Sequence, residues 1–454
     1  MVKTLERHRY ALCEKHVIVP FCCSYQVYRY LAGCFGLISC RHYLVCGRGY
    51  GITHWKQLFT NRQLTALTTF SELVGEAQRQ AEADALAAGR SADPTPLREG
   101  GSGAHAYGEA VGVYLAFVVD REANYSSSLN AWAGDFIVQT FGRQALPMVW
   151  DYAESNPFSS STGSLSNAID WVYKCFPIFP ASVYAEVRQF DAQSDCGLHN
   201  IMVSTDPPYY DNIGYADLSD YFYIWMRQSL KHVYPHLFRT MLVPKAEELV
   251  ATPYRFDGNT EKAREFFEEG MFKACCQLCK YAREDIPLTI YYAFKQSETD
   301  DNDATASTGW ETMLSAIIRA GFSIVGTWPM RTERSTGLKA SVNALASSIV
   351  LVCRKRAPDA GKCTRREFIN ALHRELRPAL IKLQSANIAP VDLAQSAIGP
   401  GIGVFSRYQS VLESDGRPMS VRAALQIINQ ELDAFYNEQE GELDRESRFC
   451  VDLF

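Results

Sequence analysis

Between about Val183 and Arg356, short apolar β-rich runs alternate with helical stretches of ten residues or more, and this alternation confines the region to an α/β sheet. The predicted strands are Val183 to Phe190, Asn200 to Thr205, Leu288 to Phe294, Phe322 to Trp328 and Ser347 to Cys353. Predicted helices near Leu218 to Val233 and Glu261 to Arg283 separate the second strand from the third, and Trp310 to Ala320 separates the third from the fourth. No helical pattern lies between the last two runs. They are therefore expected to pair antiparallel through a loop.

The flanking regions read differently. Trp55 to Ala88 is rich in Leu, Ala, Glu and Gln at helical spacing and predicts one or two helices. Gly89 to Ala106 concentrates Gly, Pro and Ser, as a flexible linker or exposed loop does. A second helical stretch is expected from Tyr107 to about Tyr152, broken around Asn124 to Ser128. After Ala357 comes a basic helical run with Arg365, Arg366, His373, Arg374, Arg377 and Lys382, then a turn at Gly399 to Gly403 and a helix from Val421 to about Asn437. The expected organisation is a cysteine-rich segment (1–54), a helical region (55–153), an α/β core (154–356) and a separate helical subdomain (357–454). The basic charges of that subdomain read either as a solvated face or as a phosphate-contacting patch.

At 454 residues, 47% apolar and 21% charged, the chain has room for two or three domains. A net charge of -6 argues against a surface that is basic throughout, so contacts to nucleic acid must be local. The apolar stretch Val17 to Cys40 is broken by Tyr25, Gln26, Arg29 and Tyr30 and has neither a membrane-span nor a signal-peptide layout. A cytoplasmic location without a membrane partner is expected. The fourteen cysteines are not spaced as a disulfide framework and read as reduced thiols. Cys13, Cys22, Cys23, Cys34, Cys40 and Cys46 make no C-x-x-C pair, and Cys276 and Cys279, which do, fall in a predicted helix with no second pair nearby. No metal is expected.

Chemistry concentrates at Asp206-Pro207-Pro208-Tyr209, directly after the predicted strand Asn200 to Thr205. Open α/β sheets build their sites at that end of a strand. An aromatic amine is a poor nucleophile because its lone pair is delocalised into the ring. Two acceptors remedy this. The Asp206 carboxylate can take one amine hydrogen and the Pro207 carbonyl the other, aiming the lone pair at a methyl donor. Consecutive prolines stiffen the loop, and Tyr209 offers a flat face to a base swung out of a duplex. The plain alternative is a proline-stiffened turn.

This tetrapeptide resembles the fourth motif of the DNA methyltransferases that modify an exocyclic base amine. The longer STDPPYYDNIGYADLSDYFYIWMR (Ser204 to Arg227) is similar to the large adenine-specific methylases that begin with an uncharacterised N-terminal domain and often sit in restriction or antiphage loci. LFTNRQL (Leu58 to Leu64), PMVWDYAESNPFS (Pro147 to Ser159), LASSIVLVCR (Leu345 to Arg354) and GPGIGVFSRY (Gly399 to Tyr408) resemble the same group. The resemblance implies a Rossmann-like sheet ending in an antiparallel hairpin, with added helices and with 154–356 as the catalytic core. It implies S-adenosyl-L-methionine as cofactor, a flipped adenine of DNA as substrate, and possible partners among defence-system proteins. Asp206, Pro207, Pro208 and Tyr209 take the catalytic roles. VYAEVRQFDA (Val183 to Ala192) is similar to the third motif, so Asp191 is expected to contact the cofactor, the alternative being an Asp that ends a strand at a turn. Tyr209 and Tyr210 are expected at the base, and Arg331, Arg334 and Lys339, between the last two strands, at DNA phosphates, the alternative for these three being a solvated loop.

The family's first motif, a strand followed by an Asp-Pro-Phe-x-Gly-x-Gly type loop, is not found. Cys46 to Gly51 (CGRGYG) reads as a hairpin turn, and Gly399 to Gly403 falls outside the predicted sheet. The expectation is a chain lacking the family's N-terminal strands. It reads either as an adenine methyltransferase, active alone or when completed by another chain, or as an inactive remnant or DNA-binding partner. A cytosine N4 enzyme is a further alternative, disfavoured because those more often carry Ser in place of Asp206.

Overall fold

A computed structural model of the chain describes residues 51–52, 54–142, 145–179, 185–210, 213–292, 308–331, 347–385 and 390–440. The six N-terminal cysteines, the glycine turn up to Tyr50, Arg334 and Lys339 lie outside them. The chain divides into two compact units, one of Met1–Gln189 with Ile213–Glu248, the other of Phe190–Asn212 with Leu249–Phe454. Each is interleaved in sequence with the other. Among the described residues no helix is long and apolar enough to cross a membrane.

The first unit is helical. Helix α1 (Asn61–Ala87) opens on a capping box: the Thr60 hydroxyl accepts from Gln63 N at 3.2 Å, and the Gln63 side chain accepts from Thr60 N at 2.8 Å. Its buried stripe, Leu67, Phe70, Val74, Ala81 and Ala85, recurs at helical spacing. Helix α2 (Ala104–Ala123) is buried on nearly every side and approaches α1 where Gly108 and Gly112 face Gln78 and Glu82. A Cβ on Gly108 would stand 2.8 Å from the Gln78 carbonyl oxygen, which only glycine avoids. The Gly/Pro/Ser stretch before α2 is a loop tied down at several points. Leu97 N donates to Glu109 at 2.6 Å, and Ala104 N to the Ser91 carbonyl at 2.8 Å.

Helix α2 ends at Ala123, so the helix expected to run on towards Tyr152 is not there. Asn124 and the serines after it offer the backbone side-chain partners that compete with helix. Asn124 Oδ1 accepts from Phe141 N at 3.0 Å, Asn130 Nδ2 donates to the Asn124 and Val138 carbonyls at 2.9 Å each, and Thr140 N donates to the Asn124 carbonyl at 2.7 Å. The short helix α3 (Leu165–Tyr173), capped by Ser164, was not anticipated. Helix α4 (Tyr215–Leu230) completes the unit, burying Tyr221, Phe222, Trp225 and Met226 in the core formed with α1 and α2.

The second unit carries the sheet. Strands β1 (Ser204–Thr205), β2 (Leu288–Tyr292), β3 (Phe322–Arg331) and β4 (Ser347–Lys355) lie in the order β1-β2-β4-β3. β1 pairs with β2 in parallel, and β4 is antiparallel to both β2 and β3. The last two strands thus form the expected antiparallel hairpin. This four-stranded sheet is mixed, however, with one parallel pairing and two antiparallel ones rather than mostly parallel ones. β1, β2 and β3 point the same way; β4 runs back between β2 and β3. The strand expected at 183–190 is absent over residues 185–190, which are exposed and bonded to no neighbouring strand. β1 is correspondingly short, preceded only by an isolated parallel bridge from Ile201 to Ala282.

Helix α5 (Thr260–Tyr281), capped by Asn259, and α6 (Thr308–Arg319) pack on the sheet through Phe267, Met271, Met313, Leu314 and Ile317. The C-terminal elements β5 (Lys362–Thr364), α7 (Arg365–Ser385), α8 (Pro390–Ser406), β6 (Ser410–Leu412) and α9 (Val421–Glu440) join the same core through Leu372, Leu376, Ile402, Phe405, Leu425 and Ile428. Gly399 to Gly403, expected as a turn, lies inside α8. The glycines serve close approach: a Cβ at Gly399 would collide with Thr327 of β3, and one at Gly401 with Ile428 of α9. Much of the basic run on α7 is paired. Arg365 meets Glu413 at 2.9 Å, His373 meets Glu431 at 2.8 Å and Arg377 meets Glu438 at 2.6 Å.

Candidate functional site

Asp206 follows β1 at its carboxyl end, beside the last residues of the parallel strand β2; Thr205 is level with Ile290. Its side chain is exposed. The hydroxyl of Tyr209 donates to Asp206 Oδ1 at 2.8 Å, so the loop closes on itself through a charge-assisted hydrogen bond that leaves Oδ2 free of this contact. The Tyr209 ring, half-buried, stands edge-on to Tyr292 with centroids 5.2 Å apart and planes at 74°. Tyr210 turns the other way. Its ring meets Phe267 of α5 edge-on at 5.2 Å, and its carbonyl accepts from Ala251 N at 2.8 Å. The loop is clamped by consecutive tyrosines on two elements, with its carboxylate outward.

The side chains behind the loop escape notice in the sequence because they read as ordinary core. Tyr292, the last residue of β2, stacks on Trp310 of α6 at 5.6 Å and 28°, and its hydroxyl donates to the Gly309 carbonyl at 3.1 Å. At the other face of the strand pair, Thr289 donates to the Ser204 hydroxyl at 2.9 Å. The only signal for Tyr292 in the chain is its place at the end of a predicted strand.

Arg331 is the last residue of β3, and because β3 points the same way as β1 it lies at the same edge of the sheet as Asp206. Three strand spacings separate β1 from β3, roughly 14 Å sideways. Asp191 is not brought to this edge. It opens a turn in which Ser194 N donates to its carbonyl at 3.0 Å while its carboxylate accepts from Gln193 N at 3.0 Å and the Ser194 hydroxyl at 3.3 Å. That turn is held at the end of α5, where the Tyr281 hydroxyl donates to the Ser194 carbonyl at 2.9 Å and Lys280 pairs with Asp195. Tyr281 also accepts, through its carbonyl, from Ile201 N at 3.0 Å, which puts the turn at the amino end of β1.

Cys276 and Cys279 are half-buried on α5, and burial pushes both thiols above their ordinary range, as it does the neighbouring buried Cys275. Among the described residues no cluster of His, Cys, Asp and Glu is arranged to hold a metal ion. In comparisons with protein-family models, curated proteins and solved structures, none matches this chain.

Proposed function

We propose that this chain belongs with the DNA methyltransferases and transfers a methyl group to the N6 amine of adenine. The observation that carries the reading is the Asp206 loop: an exposed carboxylate at the carboxyl end of a sheet strand, followed by two prolines and a tyrosine whose hydroxyl holds one carboxylate oxygen. The sheet supports it, because the three strands of one direction end in an antiparallel hairpin, as the resemblance implies. In this reading Asp206 Oδ2 and the Pro207 carbonyl accept the two amine hydrogens, and the hydrogen bond from Tyr209 keeps Oδ1 from competing for them. Tyr209 presents a ring for the base to stack on.

S-adenosyl-L-methionine would supply an electrophilic methyl group. Asp191, the cofactor contact implied by the resemblance, engages its carboxylate in its own turn at the other end of β1 and does not fit that role in this arrangement. Arg331, whose strand ends at the Asp206 edge, is proposed to meet DNA phosphates together with Arg334 and Lys339, which lie outside the described residues. Reversing these three charges should weaken DNA binding and flatten its salt dependence.

The test is incubation of the 454-residue chain with unmethylated DNA and labelled S-adenosylmethionine, followed by digestion to nucleosides. Label is expected in N6-methyladenine, and Asp206→Ala should lower transfer about 100-fold, on the order of 3 kcal/mol, because the lost acceptor acts mainly in the transition state. Label in N4-methylcytosine would move the substrate to cytosine. Equal transfer by Asp206→Ala, or none by the wild-type chain, would overturn the proposal.

A further inference from the structure

We infer that Tyr292 is a positioning residue for Tyr209, setting the plane in which the base is received; this rests on the methyltransferase reading. A tyrosine ring has two side-chain torsions, so two contacts are enough to fix it. Tyr209 has both. Its hydroxyl is tied to Asp206 at 2.8 Å, and its ring meets Tyr292 edge-on at 5.2 Å and 74°, the arrangement that aromatic quadrupoles favour. The first contact registers the stacking face against the carboxylate that accepts the amine. The second registers it against the sheet.

Tyr292 is itself immobilised. It is 1% exposed, is paired with Ile349 through the β2–β4 ladder, stacks on Trp310 and donates to the Gly309 carbonyl in the first turn of α6. Buried at that depth it cannot touch a base or a cofactor. Its ring contact with the loop is to Tyr209, through which it can act on the reaction. Losing the Tyr292 ring would remove the edge that registers the Tyr209 ring against the sheet, which harms capture of the base more than the chemical step.

The experiment compares Tyr292→Met, Tyr292→Phe, Tyr209→Ala and the double variant Tyr209→Ala/Tyr292→Met for methyl transfer at varied DNA concentration. Methionine fills the space with an adaptable chain that has no ring edge, and phenylalanine keeps the ring while removing the hydroxyl. Tyr292→Met should raise KM for DNA about 5- to 10-fold with kcat within about twofold, Tyr292→Phe should change neither beyond about twofold, and the double variant should be no worse than Tyr209→Ala alone. An unchanged KM in Tyr292→Met, a KM raised more than about twofold in Tyr292→Phe, or losses that add in the double variant would overturn the inference. If Tyr292→Met does not fold, Tyr292→Leu, which also fills the space without a ring edge, takes its place in the comparison with the same expected and overturning outcomes. A wild-type chain that transfers no methyl group brings down both the reading and the inference. Transfer that persists in Asp206→Ala removes the assigned role of Asp206, while the Tyr292 comparison still stands or falls on its own KM values.

Discussion

Replacing Gly399 by alanine should destabilise the second unit, although alanine is the better helix former. In a helix interior the exchange gains about 1 kcal/mol from backbone propensity. Here the new methyl group would lie 2.6 Å from Thr327 Cβ and closer still to both branches of that side chain. Carbon atoms pack at about 3.5 to 4.0 Å, so helix and strand must separate by roughly 1 Å. Thr327 cannot make way by rotating. Its Cβ is fixed to β3, which is paired residue by residue with β4, and the threonine is buried. Moving α8 outward would also loosen Ile402 and Phe405, which are in the core. Overpacking of this kind costs about 1 to 3 kcal/mol or more, and with the added loosening a net loss of about 2 to 3 kcal/mol is expected. For a unit of this size that is a fall in Tm of about 4 to 12 °C, measurable by calorimetry. Gly75→Ala is the control. It sits in α1 with only the end of the Arg79 side chain near, at 3.7 Å, and should stabilise by about 0.5 to 1 kcal/mol. If Gly399→Ala left Tm unchanged or raised it, α8 would not be seated on β3 as described.

Three further outcomes are expected. Burial pushes the Glu122 carboxyl up to about 7, against a Ser126 hydroxyl that pulls it down. The folded state therefore holds this proton more tightly than the unfolded one, and stability falls as pH rises from about 4.5 to 7; Glu122→Gln should flatten that slope and stabilise by about 1 to 3 kcal/mol at pH 8, checked by urea unfolding at a series of pH values. Lys245→Ala strands the fully buried Asp220, whose carboxyl burial already raises to about 6 despite the ammonium 2.8 Å away, and should cost about 3 kcal/mol at pH 8 but less at pH 5, where Asp220 takes up a proton. Thr60→Ala removes the cap of α1 and should lower stability by about 1 kcal/mol in the same assay.

The helices with strong period were legible in the chain. Glu261 to Arg283 was expected and α5 spans Thr260–Tyr281, because an Asn cap and a clear apolar stripe act locally. The antiparallel pairing of β3 and β4 was legible too, since no helical pattern lies between the two β-rich runs. What failed depended on partners distant in sequence. Residues 185–190 have strand composition but no neighbour to bond, and a strand without one is exposed coil. Gly399 to Gly403 looks like a turn until Thr327 and Ile428, far away in the sequence, are seen to need the room. At the candidate site the loop Asp206 to Tyr209 was legible from residue types alone. Tyr292 and Trp310 were not, because a buried aromatic that orients another looks in sequence like any core residue.

The interleaving of the two units sets an order of events during synthesis. Ser204 of β1 and Thr289 of β2, which pair, are separated by 85 residues, and Ile213–Glu248 within that interval belongs to the other unit. At roughly 5 to 20 residues per second the ribosome takes about 4 to 17 s to deliver the partner after Asp206 has emerged. During that time all of the helical unit's chain has been made, whereas β2, the partner of β1 among the described strands, has not. The Asp206 loop thus takes up its clamped form late in translation, only when Tyr292, Phe267 and the strand beside it have followed it out.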